Sequence, residues 1–309
     1  MSHLAQLGGI ASRNSLRVTA VQKLVVLSLC GSLGRAATGV EDVAAIMSKV
    51  AVNLDKAAGE RRLYLYHQKI RSTLIRGNGV LSRKENREYL VFPTESATEK
   101  KLLSFSGEYR KGRKMLPYTE PGYHYKGLDV DGDLVKELTD GLVSDEKARD
   151  GIPPSLFPLT GRSQKLYRFS LKGEGDFQGR HYYRIAFEPL KRPGGCIDID
   201  EPDECEGEWR GEAWIDAAEY QPIRIATDMA APIPWGVRVF LGTNLRQTGF
   251  SVTYQRVAEN VWFPATYGTE FYLNVFWGYK RTITLSMENN DFRKTDASST
   301  VQFEVPKQN

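Results

Sequence analysis

The stretch "GEAWIDAAEYQPIRI" (211–225) decides how this chain is read. Two short apolar runs flank "DAAEYQP", and that centre is rich in turn-forming residues. Trp214 belongs on a sheet surface. Asp216 begins the turn, because its carboxylate accepts hydrogen bonds from backbone N–H groups just ahead of it. Pro222 opens the next strand, where a missing N–H is tolerated. The stretch reads as strand–turn–strand, with a structural rather than a catalytic role.

The same pattern extends along most of the chain. "GFSVTYQRVA" places Phe250, Val252 and Tyr254 on one face and Ser251, Thr253 and Gln255 on the other. Phe271, Leu273 and Val275 alternate with polar neighbours, as do Ile283, Leu285 and Met287. Short loops between such runs imply an antiparallel meander over 163–292 with one apolar face. An earlier strand block spans 63–119, with "RGNG", "SRKEN" and "ESATE" as its separators.

Two segments carry the helical period instead. In 40–60, Val43, Ile46, Met47, Val50 and Leu54 recur at helical spacing, and Glu41 and Asp42 suit the positive end of the dipole. In 130–149, Leu134, Leu138 and Leu142 form a stripe. Two helices cannot cover about a dozen strands, so the sheet must curl or leave a hollow. The expectation is a mainly β, α+β fold: a curved antiparallel half-barrel closed by helices.

Charge and cysteine usage place the chain. Arg13, Arg17, Lys23 and Arg35 stand in residues 1–36 without an acidic residue, and they account for the whole formal net charge of +4. The remainder is neutral, which gives no electrostatic reason to expect nucleic acid. Basic residues, the apolar run "LVVLSLCGSLG" (24–34) and small residues follow one another as in a secretory signal peptide cleaved after Ala36. The expected mature unit is a single domain over 37–309, exported and either soluble or peripheral to the membrane. Cys196 and Cys205, in "GGCIDIDEPDECEGEW", fit a disulfide in an oxidising compartment. Free thiols and a calcium-binding acidic loop are the other readings of that segment.

Signatures of catalysis are missing from the sequence. His67, His124 and His181 lie in separate elements, outside any H-E-x-x-H pattern. There is no G-x-S-x-G elbow and no phosphate-binding P-loop. No enzyme activity, cofactor or metal is expected.

An aromatic cluster carries the stronger functional reading. Trp235, Phe240, Phe250, Trp262, Phe263, Phe271, Phe276 and Trp277 crowd into 235–277. Converging on a concave face, they would line an apolar hollow; otherwise they fill the inside of the sheet as core.

The order leader, helix, strands, helix, long meander resembles the outer-membrane lipoprotein-sorting family, the LolA-like periplasmic carriers. The resemblance rests on Gly211, Trp214, Ile215 and Asp216 followed by Pro222 and Arg224, on "NVWFPATYGTEF" (260–271) and on "GEGDFQGRHYYRIAFEP" (173–189). It implies a curved sheet closed by helices over a cavity that accepts acyl chains of lipids or lipoproteins, in a protein without chemistry of its own. The candidate cavity residues are Trp214, Trp235, Phe240, Phe250, Val252, Tyr254, Trp262, Phe271, Leu273, Val275, Ile283 and Leu285. The rival is an envelope sensor or scaffold of the same fold with a filled interior, acting through a protein partner.

Overall fold

A computed structural model describes residues 42–93, 98–143, 159–190, 209–229, 243–275 and 278–295. The leader, the Cys196–Cys205 segment, Trp235, Phe240, Phe276, Trp277 and residues 144–149 lie outside the described residues, as does the Val275 side chain.

Helix α1 (Val43–Arg61) opens the described chain, capped by Asp42, whose carboxylate accepts from the Ala44 N–H at 3.4 Å. Strands β1 (Tyr64–Arg76), β2 (Leu81–Pro93), β3 (Thr98–Lys111) and β4 (Lys114–Tyr118) follow. Helix α2 (Val130–Val143) and the short α3 (Gly161–Gln164) lead to a second run of strands. These are β5 (Tyr167–Phe177), β6 (Arg180–Pro189), β7 (Trp209–Asp216), β8 (Pro222–Met229), β9 (Thr243–Ala258), β10 (Val261–Val275) and β11 (Tyr279–Lys294).

All eleven strands form one antiparallel sheet, in the order β4-β3-β2-β1-β11-β10-β9-β8-β7-β6-β5. The first and last strands pair with each other, so β1 and β11 sit inside the sheet as its fourth and fifth strands, with β4 and β5 at its two open edges. The chain leaves one edge at Tyr118 and re-enters at the other through α2 and α3.

The sheet is curved. Helix α1 packs against both β10 and β5, which are five strand spacings apart. In a flat sheet those strands would lie about 24 Å apart, whereas a helix with its side chains is only about 10–12 Å across. The strands between them must therefore curl around α1, giving the half-barrel that the strand and helix pattern implies.

Register explains why this face is the inside. Ile225, Val252, Tyr267, Met287 and Ile70 stand side by side across β8, β9, β10, β11 and β1. All five are buried, and Ile46, Met47, Val50 and Leu54 of α1 belong to the same apolar cluster. Each fully buried aliphatic side chain contributes about 1.5–3 kcal/mol of transfer free energy.

At β2 the row changes character. Opposite Ile70, Ser72 and Leu74 stand Arg87, Glu85 and Arg83, each at most 2% exposed. Their charges are matched mainly by α2 and the residue before it. Arg83 pairs with Asp129, Arg87 donates to Asp140 at 2.6 Å and to Glu85 at 2.7 Å, and Tyr118 donates to Glu85 at 2.7 Å. Asp131 on α2 accepts from Arg281 at 2.6 Å and from Tyr279 at 2.5 Å. So α2 rests partly on an ionic layer, while Leu134, Val135, Leu138 and Leu142 supply its apolar contact.

That layer corrects one sequence expectation. "SRKEN" (82–86) is not a turn: β2 begins at Leu81 and pairs through this segment with β1 and β3. Alternating charges look like a solvated loop in sequence, but here every second one is buried and paired.

Strand β9 runs unbroken from Thr243 through Gly249 to Ala258. Gly249 has φ +122°, and a Cβ there would lie 1.9 Å from the Thr227 carbonyl oxygen. The Thr227 hydroxyl accepts from the Phe250 N–H at 2.9 Å and lies 3.2 Å from the Phe250 carbonyl. A side chain thus takes the place of ladder contacts where β8 and β9 come closest.

Candidate functional site

The turn in the opening stretch is the hub of this end of the sheet. The Asp216 carboxylate accepts from Ala218 N–H at 3.0 Å and Glu219 N–H at 2.7 Å, the turn-starting role expected for it. The turn then grips α1. Asn53 donates to the Glu219 carbonyl at 2.7 Å, Gln221 donates to the Asn53 carbonyl at 2.8 Å, and the Lys49 ammonium donates to the Tyr220 hydroxyl at 2.9 Å.

Beside this turn the sheet parts. Strands β8 and β9 are paired only over Arg224–Ala226 and Ser251–Thr253. At the start of β8, Pro222 has no N–H to offer a ladder. The β7–β8 register also shifts between Trp214 and Ile215, a β-bulge that re-aims the strand.

A pocket of about 690 Å³ opens where the pairing stops. Its walls come from both faces of the sheet. Tyr182, Trp214, Arg224 and Thr253 stand on the face opposite the core row. Ile223, Tyr254 and Trp262 are core members, at most 8% exposed. Phe177, Gln178, Arg180, Gln255 and Arg256 complete the lining. The pocket therefore grades from an apolar base to a charged mouth.

Two arginine–tryptophan pairs frame it. The Arg180 guanidinium lies 5.5 Å from the Trp262 ring, and that of Arg224 lies 5.0 Å from the Trp214 ring. Arg180 is held by Asp216 through two hydrogen bonds, at 2.5 and 2.9 Å, and by Glu219 at 3.2 Å. Arg256 reaches the same Glu219 at 2.6 Å, and the Trp262 indole N–H donates to it at 2.8 Å. The hydrogen bond from Arg180 to Asp216 raises the guanidinium pKa above its ordinary value. Burial pushes the Asp216 carboxyl up, but Arg180 and the turn amides outweigh it and hold that group below the usual carboxylate range.

The twelve expected cavity residues divide. Trp214, Tyr254 and Trp262 line the pocket. Phe250, Val252, Leu273, Ile283 and Leu285 lie in the packed core, with Phe271 half-buried against it. Trp235, Phe240 and the Val275 side chain fall outside the described residues. The arginines of the pocket and Tyr182 were not expected, although "GRHYYR" (179–184) and "PIR" (222–224) show arginines set beside aromatic and apolar residues.

His67 and His124 contact acids at 3.4 and 2.7 Å. His181 bridges Glu174 and Asp176, both at 3.2 Å, within the β5–β6 hairpin. Among the described residues no histidine lines the pocket. Among the described residues no group of His, Cys, Asp and Glu could hold a metal ion, and no helix is long and apolar enough to cross a membrane.

An open, curved antiparallel sheet wrapped on a helix, with a lined pocket beside it, defines a half-barrel fold. Solved structures similar to this chain include a domain described as an outer membrane lipoprotein-sorting protein, from Vibrio parahaemolyticus. It is 10% identical, with 82% of this chain and 95% of that one covered and a TM-score of 0.34. A LolA superfamily protein from Nitrosomonas europaea is 9% identical over 80% of this chain and 94% of its own, with a TM-score of 0.29. A DUF1329 family protein from Desulfovibrio piger is 10% identical over 84% and 95%, at 0.34. These likenesses concern the fold and nothing finer. No family model matches the chain, and no curated protein matches its sequence.

Proposed function

We propose that this chain is an exported, non-enzymatic binding protein that shields acyl chains of lipids or lipoproteins. The observation that supports this reading is the pocket between β8 and β9. Its volume of about 690 Å³ lies within the 300–1,000 Å³ typical of ligand sites, and five aromatic side chains and Ile223 share its walls with six polar or charged ones. An apolar base joined to a charged mouth suits an amphipathic molecule. Each methylene buried there is worth about 0.8 kcal/mol, so a few carbons of chain suffice for useful affinity.

The test is titration of the full chain with a fluorescent sixteen-carbon fatty acid. Saturable binding is expected, weakened at least tenfold by Trp214→Ala, since losing a buried aromatic contact costs more than the 1.4 kcal/mol of one decade. Absence of saturable binding removes the reading. The scaffold reading draws on a different observation. Leu102 and Leu103 are exposed on neighbouring positions of β3 at 39% and 45%, and their replacement by Ser would abolish a protein contact while leaving acyl binding untouched.

A further inference from the structure

The charges around the pocket are unevenly matched. Three guanidinium groups line it, those of Arg180, Arg224 and Arg256. Two carboxylates contact them, Asp216 and Glu219, and both are spent on Arg180 and Arg256. Among the described residues no carboxylate reaches Arg224, whose guanidinium lies over the Trp214 ring. One positive charge is therefore left over, and it is localised.

Its setting favours recognition of an anion. A guanidinium stacked on an indole keeps its N–H groups directed outward in the plane of the stack, where a carboxylate or phosphate can take two of them at once. Trp214 faces Arg224 directly across β7 and β8, and Thr253 faces Arg224 across β9. The cation is thus held on strands rather than on a mobile side loop, beside the aromatic wall that would receive a chain.

We propose that Arg224 reads the head group of the ligand, and that the ligand is a single-chain or multi-chain lipid carrying an anionic carboxylate or phosphate. This deepens the acyl-binding reading and rests on it. The chain enters toward Ile223, Tyr254 and Trp262, while the anion stays at the mouth against Arg224. The neutralised pair Arg180 and Arg256 shapes the rim.

The experiment is displacement of a bound fluorescent fatty acid from the full chain, at neutral pH, by three twelve-carbon competitors: dodecanoate, dodecyl phosphate and dodecanol. Wild type should prefer the two anions over the alcohol by about tenfold, the worth of one charge-assisted hydrogen-bonded pair. Arg224→Gln should bring that ratio to about one by weakening the two anions more than dodecanol, and Arg224→Lys should restore part of it. The tighter of the two anions identifies the head group. Equal binding of all three by wild type, or a preference that survives Arg224→Gln in a protein with unchanged thermal midpoint, overturns the head-group proposal while the acyl-binding reading stands. Failure of all three to displace the probe overturns both.

Discussion

Arg180 clamps Asp216 in a two-pronged ion pair, with its Nε at 2.5 Å from one carboxylate oxygen and an Nη at 2.9 Å from the other. The pair ties the start of β6 to the β7–β8 turn, and that turn holds α1 through Asn53 and Lys49. Asp216 is 1% exposed, whereas the Arg180 side chain is 34% exposed. Removing the acid therefore strands turn amides, while the arginine is left partly solvated. Asp216→Ala should lower stability by roughly 2–3 kcal/mol, and Asp216→Asn, which keeps the turn acceptor, by about half as much. Urea unfolding followed by circular dichroism reads both. A loss below about 0.5 kcal/mol for the alanine variant would show that the clamp does not organise the turn.

The ionic layer beneath α2 makes a sharper prediction. Arg83 and Asp129 are each 1% exposed. Removing one partner leaves the other buried and uncompensated, a cost of roughly 3–5 kcal/mol. Arg83→Met should fall in that range. Replacing both residues with apolar ones of similar size should cost much less than the sum, because a buried pair is often close to neutral against a hydrophobic replacement. A double-mutant cycle by urea denaturation measures the difference, and additive losses would contradict the account.

Acid should act through Asp131 and Asp216. Burial raises the Asp131 pKa, but the hydrogen bonds from Arg281, Ser82 and Tyr279 prevail and lower it, as happens at Asp216 through Arg180. A carboxylate with a depressed folded pKa contributes stability that is present above its unfolded value, about 3.9, and is lost as pH falls through the folded value. The urea midpoint should be level with respect to these groups near neutrality and drop below about pH 4, less steeply in Asp131→Asn. His181 runs the other way: hydrogen bonding to Asp176 and then Glu174 raises its pKa. Its ring protons should titrate above the ordinary value of about 6.5 in NMR spectra, and Asp176→Asn should move the midpoint down.

The sheet was legible wherever one face was apolar. Alternation at Phe250–Tyr254 and Ile283–Met287, helical spacing at Val43–Leu54 and the Asp216 turn each follow from local chemistry that tertiary contacts reinforced. The Ser82–Asn86 part of β2 was not legible, because its inward charges are paid back by Asp129 and Asp140, some fifty residues away in sequence. Nor could the pairing of β1 with β11 be foreseen from spacing, since nothing local marks which distant strands meet. The pocket was only half visible. Trp214, Tyr254 and Trp262 are conspicuous as aromatics, but their convergence with Arg180 and Arg224 depends on where β8 stops pairing with β9.

The location of the ligand is the central claim, and photolabelling tests it most directly. A fatty acid carrying a diazirine near its chain end would be irradiated with the purified full chain, and the adducts mapped by peptide mass spectrometry. The account predicts labels at Ile223, Tyr254 or Trp262, reduced by excess unlabelled fatty acid and by Trp214→Ala. Competable labels confined to Ile283 and Leu285 in the packed core, or none that unlabelled fatty acid displaces, would contradict it.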